Sequence, residues 1–335
     1  MKPEEIKKPK LAFAGVGWIG RSRLKSVADA RLADIILLSD PSKQCLDEAG
    51  KIAMGSRTSL SFADIISNKD IEGLVIATPS ALHKEQAVAA LESGLAVFCQ
   101  KPLGRNFDEV QSVVSAASQH NRLLGADFSY RYTTAFQKIH SVIQSGDLGK
   151  IFAVDLKFHN AYGPDKPWFY DLALSGGGCV LDLGIHLIDL LLYALNFPKV
   201  NRVSSSLYAK GVSVKGKNEV EDYANATIEI ENDVTAQLAC SWNLAAGCEA
   251  VIEASFFGTK GAVALKNVNG SFYDFVGVRY HGTRTEVLAA PPDDWGGQAL
   301  LDWVRKLSAD RHYNNEALQY LKSAEVVDKI YGRIA

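Results

Sequence analysis

The sequence predicts an α/β protein of two domains, an N-terminal Rossmann domain on a doubly wound parallel sheet and a C-terminal α/β domain rich in antiparallel strands. Three observations predict it. Short apolar runs alternate with helical patterns through the first third of the chain, the order expected of βαβ units. A glycine turn, Gly15-Val16-Gly17-Trp18-Ile19-Gly20, links the first apolar run to the first helical one. From Ile151 onward the texture changes, and an apolar helical segment is followed by long β-like stretches joined by turn residues.

Taken in order, residues 11–14, 35–38, 74–77 and 96–99 are compact apolar runs of the kind buried on both faces of a parallel sheet. Residues 21–28, 43–52, 80–92 and 107–119 carry helical spacing between them, and 123–128 closes the sheet. The boundary is placed near Tyr130, giving a nucleotide-binding domain over 10–128 and a second domain over 129–335. There, a very apolar helix over 180–195 precedes strands at 202–209, 223–231, 235–242, 251–257 and 272–280. Asn232-Asp233 and Gly258-Thr259-Lys260-Gly261 are turn signals that suggest an antiparallel meander. Residues 299–307 and 315–330 read as closing helices.

Bulk properties narrow the function classes. The 335 residues suit two domains, and 47% hydrophobic with 22% charged residues is ordinary globular usage. A formal charge of −2 gives no overall attraction to nucleic acid or an anionic membrane. The five cysteines are scattered without C-x-x-C spacing, as expected of reduced thiols in a cytoplasmic protein. The charged start of the chain, Met1 to Lys10, has no secretory pattern, and the longest apolar run, 187–195, is too short for a membrane span.

The glycine turn follows a strand and opens a helix, the context in which G-x-G-x-x-G binds a dinucleotide. Gly15 permits the tight turn, Gly17 lets backbone approach a pyrophosphate, and Gly20 allows close packing, with Trp18 and Ile19 in the same turn. Asp40, twenty residues after Gly20 at the end of the second strand, suits the ribose hydroxyls and disfavours a 2′-phosphate, pointing to NAD over NADP. The lesser alternative for Asp40-Pro41-Ser42 is only a turn and helix cap. Thr78-Pro79-Ser80 and Gln100-Lys101-Pro102 fall at two further strand ends, where open parallel sheets bind ligands. Lys101 alone reads either as a site residue or as a surface charge, and His83 as a packing or capping histidine.

A second constellation lies at Gly176-Gly177-Gly178 and on the helix that follows. Asp182, His186, Asp189 and Tyr193 share one stripe at helical spacing, with apolar residues or glycine elsewhere. The stripe is readable as a water-facing edge or as a site, and the glycines as a close approach by ligand or backbone. It matches no strong metal signature, and no metal is expected.

Together these residues resemble the Gfo/Idh/MocA oxidoreductases, the glucose–fructose oxidoreductase and inositol dehydrogenase family, from about Leu11 to the C-terminal helix. Ala77-Thr78-Pro79-x-x-x-His83, Lys101-Pro102, Gly176-Gly177-Gly178-x-x-x-Asp182-x-Gly184-x-His186-x-x-Asp189 and the Gly258–Gly261 hairpin carry the likeness. The resemblance implies a C-terminal domain with an open, mainly antiparallel sheet, one face of which often makes subunit contacts. It implies NAD-dependent hydride transfer at a ring hydroxyl or keto group of a sugar, sugar derivative or cyclitol. Its motif lysine maps to Lys101 and its motif acid and histidine to Asp182 and His186. His186 is then the general base, Asp182 orients it or holds a substrate hydroxyl, and Lys101 stabilises alkoxide character.

The cofactor set is Gly15, Gly17, Trp18, Ile19, Gly20, Asp40, Thr78, Pro79, His83, Gln100 and Lys101. Substrate contacts are expected from Lys101, Asp182, His186, Tyr130, Arg131, Tyr162 and Trp168, the last two on an aromatic loop over 160–174. A homo-oligomer, dimer or tetramer, is expected through the C-terminal sheet. Three features depart from the family pattern: Gln100 stands for its glutamate, Ser80 for a frequent asparagine, and Arg21-Ser22-Arg23 lacks a frequent histidine. Gln100 leaves room for a cofactor-bound sensor without catalysis, and an epimerase or lyase that recycles its cofactor is the other alternative.

Overall fold

The computed structural model describes residues 8–214 and 218–334, so most of the amino-terminal stretch read for a secretory signal lies outside the described residues. The chain divides into two compact units, one of residues up to Gly104 with Asp108–Ser129 and Gly297–Leu321, the other of Arg105–Phe107, Tyr130–Gly296 and Lys322–Ala335.

The first unit contains β1 (Lys10–Ala14), α1 (Trp18–Ala30), β2 (Asp34–Ser39), α2 (Lys43–Ile52), β3 (Arg57–Ser59) and α3 (Ala63–Ser67). Next come β4 (Gly73–Ile76), α4 (Ser80–Glu92), β5 (Ala96–Cys99), most of α5 (Phe107–Gln119) and β6 (Leu124–Ala126). Six parallel strands lie in the order β3-β2-β1-β4-β5-β6, the doubly wound arrangement. β4 and β5 are buried at every residue, which explains their unbroken apolar sequence. β3 is not among the expected strands, because its Arg-Thr-Ser residues carry no apolar run. A later helix, Gln298–Ala309, also belongs to this unit. Its Trp303 meets Phe98 at 5.8 Å between centroids, and a Cβ on Gly125 would lie 2.6 Å from the same indole.

In the second unit, α6 (Thr134–Gln144), β7 (Ile151–Asn160), α7 (Leu172–Ser175) and α8 (Ile185–Ala194) precede β8 (Val200–Ala209) and β9 (Val212–Ser213). β10 (Tyr223–Ile230), β11 (Val234–Ser241), β12 (Ala250–Gly258), β13 (Gly261–Asn267), β14 (Phe275–His281) and β15 (Arg284–Ala289) follow. The nine strands run in the order β15-β14-β13-β12-β7-β11-β10-β8-β9. The sheet is antiparallel except where β7 pairs parallel with β11. The expected meander is therefore corrected: β7, from outside that run, is inserted between β12 and β11. One sheet face buries alternate residues, among them Val154, Leu156, Ala236, Leu238, Ile252 and Ala254. The stretch Leu172–Ala194 is long and apolar enough to cross a membrane, longer than the run read from sequence. Of its most apolar window, 89% is buried inside the protein, as in a core helix.

Candidate active site

The glycine turn leaves β1 and enters α1 with the geometry that a dinucleotide requires. Gly15 has φ +83°, and a Cβ there would lie 2.6 Å from the carbonyl of Ala77, so only glycine fits. At Gly17 an added Cβ would meet nothing within 4 Å, which leaves its backbone open to a ligand. Gly17 caps α1 without a side-chain hydrogen bond, and the first turn has no acid. The positive end of this helix thus carries no anion of its own, which fits a diphosphate. Trp18 is 70% exposed at the first helical position.

Asp40 braces this turn from the end of β2. Its Oδ2 accepts from Val16 N at 2.8 Å and its Oδ1 from Ser42 N at 2.8 Å, while Ser42 caps α2. The turn reading of Asp40 is thus seen directly, and these bonds use two of the four acceptor sites of a carboxylate.

His83 lies on α4, 1% exposed, with Nδ1 2.7 Å from Pro102 O and Nε2 2.7 Å from Thr78 O. Both ring nitrogens are thus turned to backbone, and the ring links the two strand ends named from sequence. Burial pushes its pKa down, against the upward pull of the two carbonyls. Thr78 Oγ1 donates to Gln86 at 2.7 Å. Gln100 donates its amide to Asp127, whose Oδ2 also accepts from Arg23 Nε at 2.5 Å, and all three residues are buried. A glutamate at 100 would set a second carboxylate against Asp127, so the departure from the family motif has a local reason. Neither Arg23 nor Asp127 was legible as a partner, since they are 104 residues apart.

In the second unit a π-helical turn, Val180–Gly184, leads into α8. Its Asp182 accepts from Trp242 Nε1 at 3.1 Å. His186, 8% exposed, lies against Tyr130 with ring centroids 4.8 Å apart. The Tyr130 hydroxyl is pushed well above its ordinary pKa by burial and then by the Asp182 charge. Asp189, 1% exposed, takes two hydrogen bonds from Arg131, and that guanidinium lies over Tyr193 at 4.6 Å.

The water-facing reading of the stripe is thereby corrected: its lower half forms a buried ion pair and its upper half lies among aromatic rings. Trp168 stacks on Phe169 at 3.8 Å, and Phe169 and Tyr170 meet Trp242 edge-on at 6.3 and 5.7 Å. Tyr162 is half exposed, near Phe272. Trp242, which ties this loop to Asp182, was missed because the end of an apolar strand looks like core. Among the described residues, no three His, Cys, Asp or Glu side chains gather as metal ligands.

A dinucleotide turn in one unit and a buried acid–histidine helix walled by aromatic rings in the other define the class, an NAD-linked oxidoreductase. Residues 10–128 match the oxidoreductase family with NAD-binding Rossmann fold, and 136–264 match the GFO/IDH/MocA C-terminal domain. The chain belongs to the GFO/IDH/MocA oxidoreductase family. It is 26% identical over 271 residues to an uncharacterized oxidoreductase, YrbE, of Bacillus subtilis, covering 78% of this chain and 76% of that one. With the D-glucoside 3-dehydrogenase of Escherichia coli it shares 28% over 201 residues, 57% of each chain. The aldose-aldose oxidoreductase of Caulobacter crescentus has the same fold, with TM-score 0.83, 18% identity and 97% of each chain covered.

Proposed function

We propose that the chain oxidises a hydroxyl of a sugar, sugar derivative or cyclitol with NAD, or runs the reverse reduction. The observation that carries this reading is the placement of a half-buried acid, Asp182, and a buried base, His186, among aromatic rings at the start of a largely apolar helical segment. Aromatic faces beside fixed polar groups suit the alternating apolar and hydroxyl surface of a pyranose or cyclitol. Dehydrogenase names among the similar proteins support the same class.

In the oxidation direction His186 takes the hydroxyl proton and the C–H bond releases hydride. NAD, when bound, supplies the acceptor for that hydride. Lys101 stabilises the oxygen as it gains negative charge, and Asp182, fixed by Trp242, orients the base or a neighbouring hydroxyl. Gly15, Gly17, Trp18, Ile19, Gly20, Asp40, Thr78, Pro79, Gln100 and Lys101 form the cofactor set, with His83 acting through the two loops it joins.

We further infer association through the sheet face opposite α8, where Thr227, Gln237 and Lys157 lie between the buried positions. Light scattering on the purified chain reads the subunit number. The free thiols of the described cysteines support a cytoplasmic setting.

The test follows NADH absorbance with D-glucose, methyl β-D-glucoside, levoglucosan and myo-inositol, with NAD and NADP in parallel. Turnover with at least one, faster with NAD, is expected. Tight NAD binding without turnover on any sugar or cyclitol would overturn the proposal.

A further inference from the structure

We propose that Glu221 is a positioning residue for Asp182 and His186, acting as the cap of the helix that carries them while Tyr331 holds its carboxylate. The inference rests on the reading of those two residues as the acid–base pair.

Glu221 precedes β10 in the chain and is 1% exposed. Its Oε2 accepts from Gly178 N at 2.9 Å, its Oε1 from Val180 N at 3.0 Å, and its own carbonyl from Cys179 N at 3.1 Å. Three successive N–H groups at the start of the helical segment are therefore taken by one residue more than forty positions away. A helix start leaves such donors unsatisfied, and a local side chain ordinarily takes one or two of them. Tyr331 Oη donates to Oε1 at 2.7 Å and accepts from Gly178 N at 3.2 Å. The carboxylate also stands at the positive end of the helix dipole.

The glycines before the helix carry the imprint of this cap. A Cβ on Gly178 would lie 1.8 Å from the Glu221 carbonyl oxygen, and one on Gly177 would lie 2.2 Å from Tyr331 Oη. The close approach that the sequence suggested at this run is thus made at Gly177 and Gly178 by the chain itself. Burial pushes the Glu221 carboxyl up, against the downward pull of the Val180 amide, Tyr331 and Gly178.

Asp182 lies two residues beyond the last capped amide, inside a π turn. Such turns are rare in helices and recur at functional sites. α8 beyond it is buried at nine of ten residues, so its body stays packed without the cap. Loss of the cap therefore loosens the turn that holds Asp182 and leads into His186, while the helix body stays in place.

Hydrogen exchange on the full chain tests this without any ligand, comparing the native chain with Glu221→Gln, Tyr331→Phe and a core control, Leu191→Val. In Glu221→Gln, amides 178–184 are expected to exchange about tenfold faster or more, and in Tyr331→Phe about threefold faster, with 187–194 changed by less than about twofold. Kinetics on the best substrate among D-glucose, methyl β-D-glucoside, levoglucosan and myo-inositol should show kcat down about tenfold in Glu221→Gln, with NAD affinity within about twofold. Leu191→Val should lower Tm and leave kcat unchanged. Unchanged exchange at 178–184 in both anchor variants overturns the inference, and Tyr331→Phe decides alone if Glu221→Gln does not fold. Faster exchange with native kcat also overturns it, provided His186→Asn abolishes turnover. If His186→Asn keeps native turnover, the assignment of the base falls, while the exchange data still decide whether Glu221 anchors the turn.

Discussion

Replacing Arg131 by alanine should damage stability far more than substrate affinity. Its guanidinium donates to both oxygens of Asp189, at 2.6 Å for Nε to Oδ2, and the carboxylate is 1% exposed. Arg131→Ala leaves that charge buried without its cation, which costs about 3–5 kcal/mol. For a domain of this size the loss lowers Tm by about 6–20 °C, at about 2–4 °C per kcal/mol.

Burial already pushes the Asp189 carboxyl above its ordinary range, with Arg131 opposing the shift. Folding without the arginine disfavours the ionised form still more. The stability deficit should therefore grow as pH rises through that raised pKa and shrink in acid, where the carboxyl is protonated. The double variant Arg131→Met with Asp189→Leu removes both charges and should recover most of the loss. Thermal melts by circular dichroism at pH 5 and pH 7.5, with KM for the best sugar alongside, read all of this. A Tm within about a degree of native together with a KM raised about tenfold would refute the reasoning and place the guanidinium on substrate.

Asp40→Ser should weaken NAD about tenfold or more and NADP less, because it removes the ribose acceptor and the brace on Val16 N; equal losses for both cofactors would count against the ribose role. Burial lowers the His83 pKa, so folding favours the neutral ring, and that stability is lost as pH falls below about 6.5. His83→Gln should flatten the decline in Tm between about pH 6.5 and 5; an unaltered slope would assign it to other groups. Gly17→Ala has space for its methyl group in the free chain and should fold at near-native Tm, yet bind NAD at least about tenfold more weakly. Calorimetric titration with NAD would contradict that if affinity held.

The parallel sheet was legible because its strands are buried on both faces and leave continuous apolar runs, as at Gly73–Ile76 and Ala96–Cys99. Helix Ser80–Glu92 was read to the residue between Pro79 and the turn at Ser93-Gly94. β7 was invisible as the strand between β12 and β11, since pairing partners far apart in sequence leave no local trace. The site divides in the same way. Gly15, Asp40, Lys101, Asp182 and His186 are marked by local motif or spacing, whereas Arg23–Asp127, Trp242–Asp182 and Arg131–Asp189 are contacts across 58 to 104 residues. The stripe on α8 looked uniform because spacing reports which side chains share a face, not what each of them meets.

The most direct measurement of the central claim is NADH formation by the native chain and His186→Asn on the same sugar, with NAD affinity measured for both. The account predicts turnover in the native chain and a loss of about a hundredfold or more in kcat for His186→Asn, with NAD bound equally well. Native turnover in His186→Asn, or no turnover by the native chain on any sugar or cyclitol despite bound NAD, would contradict it.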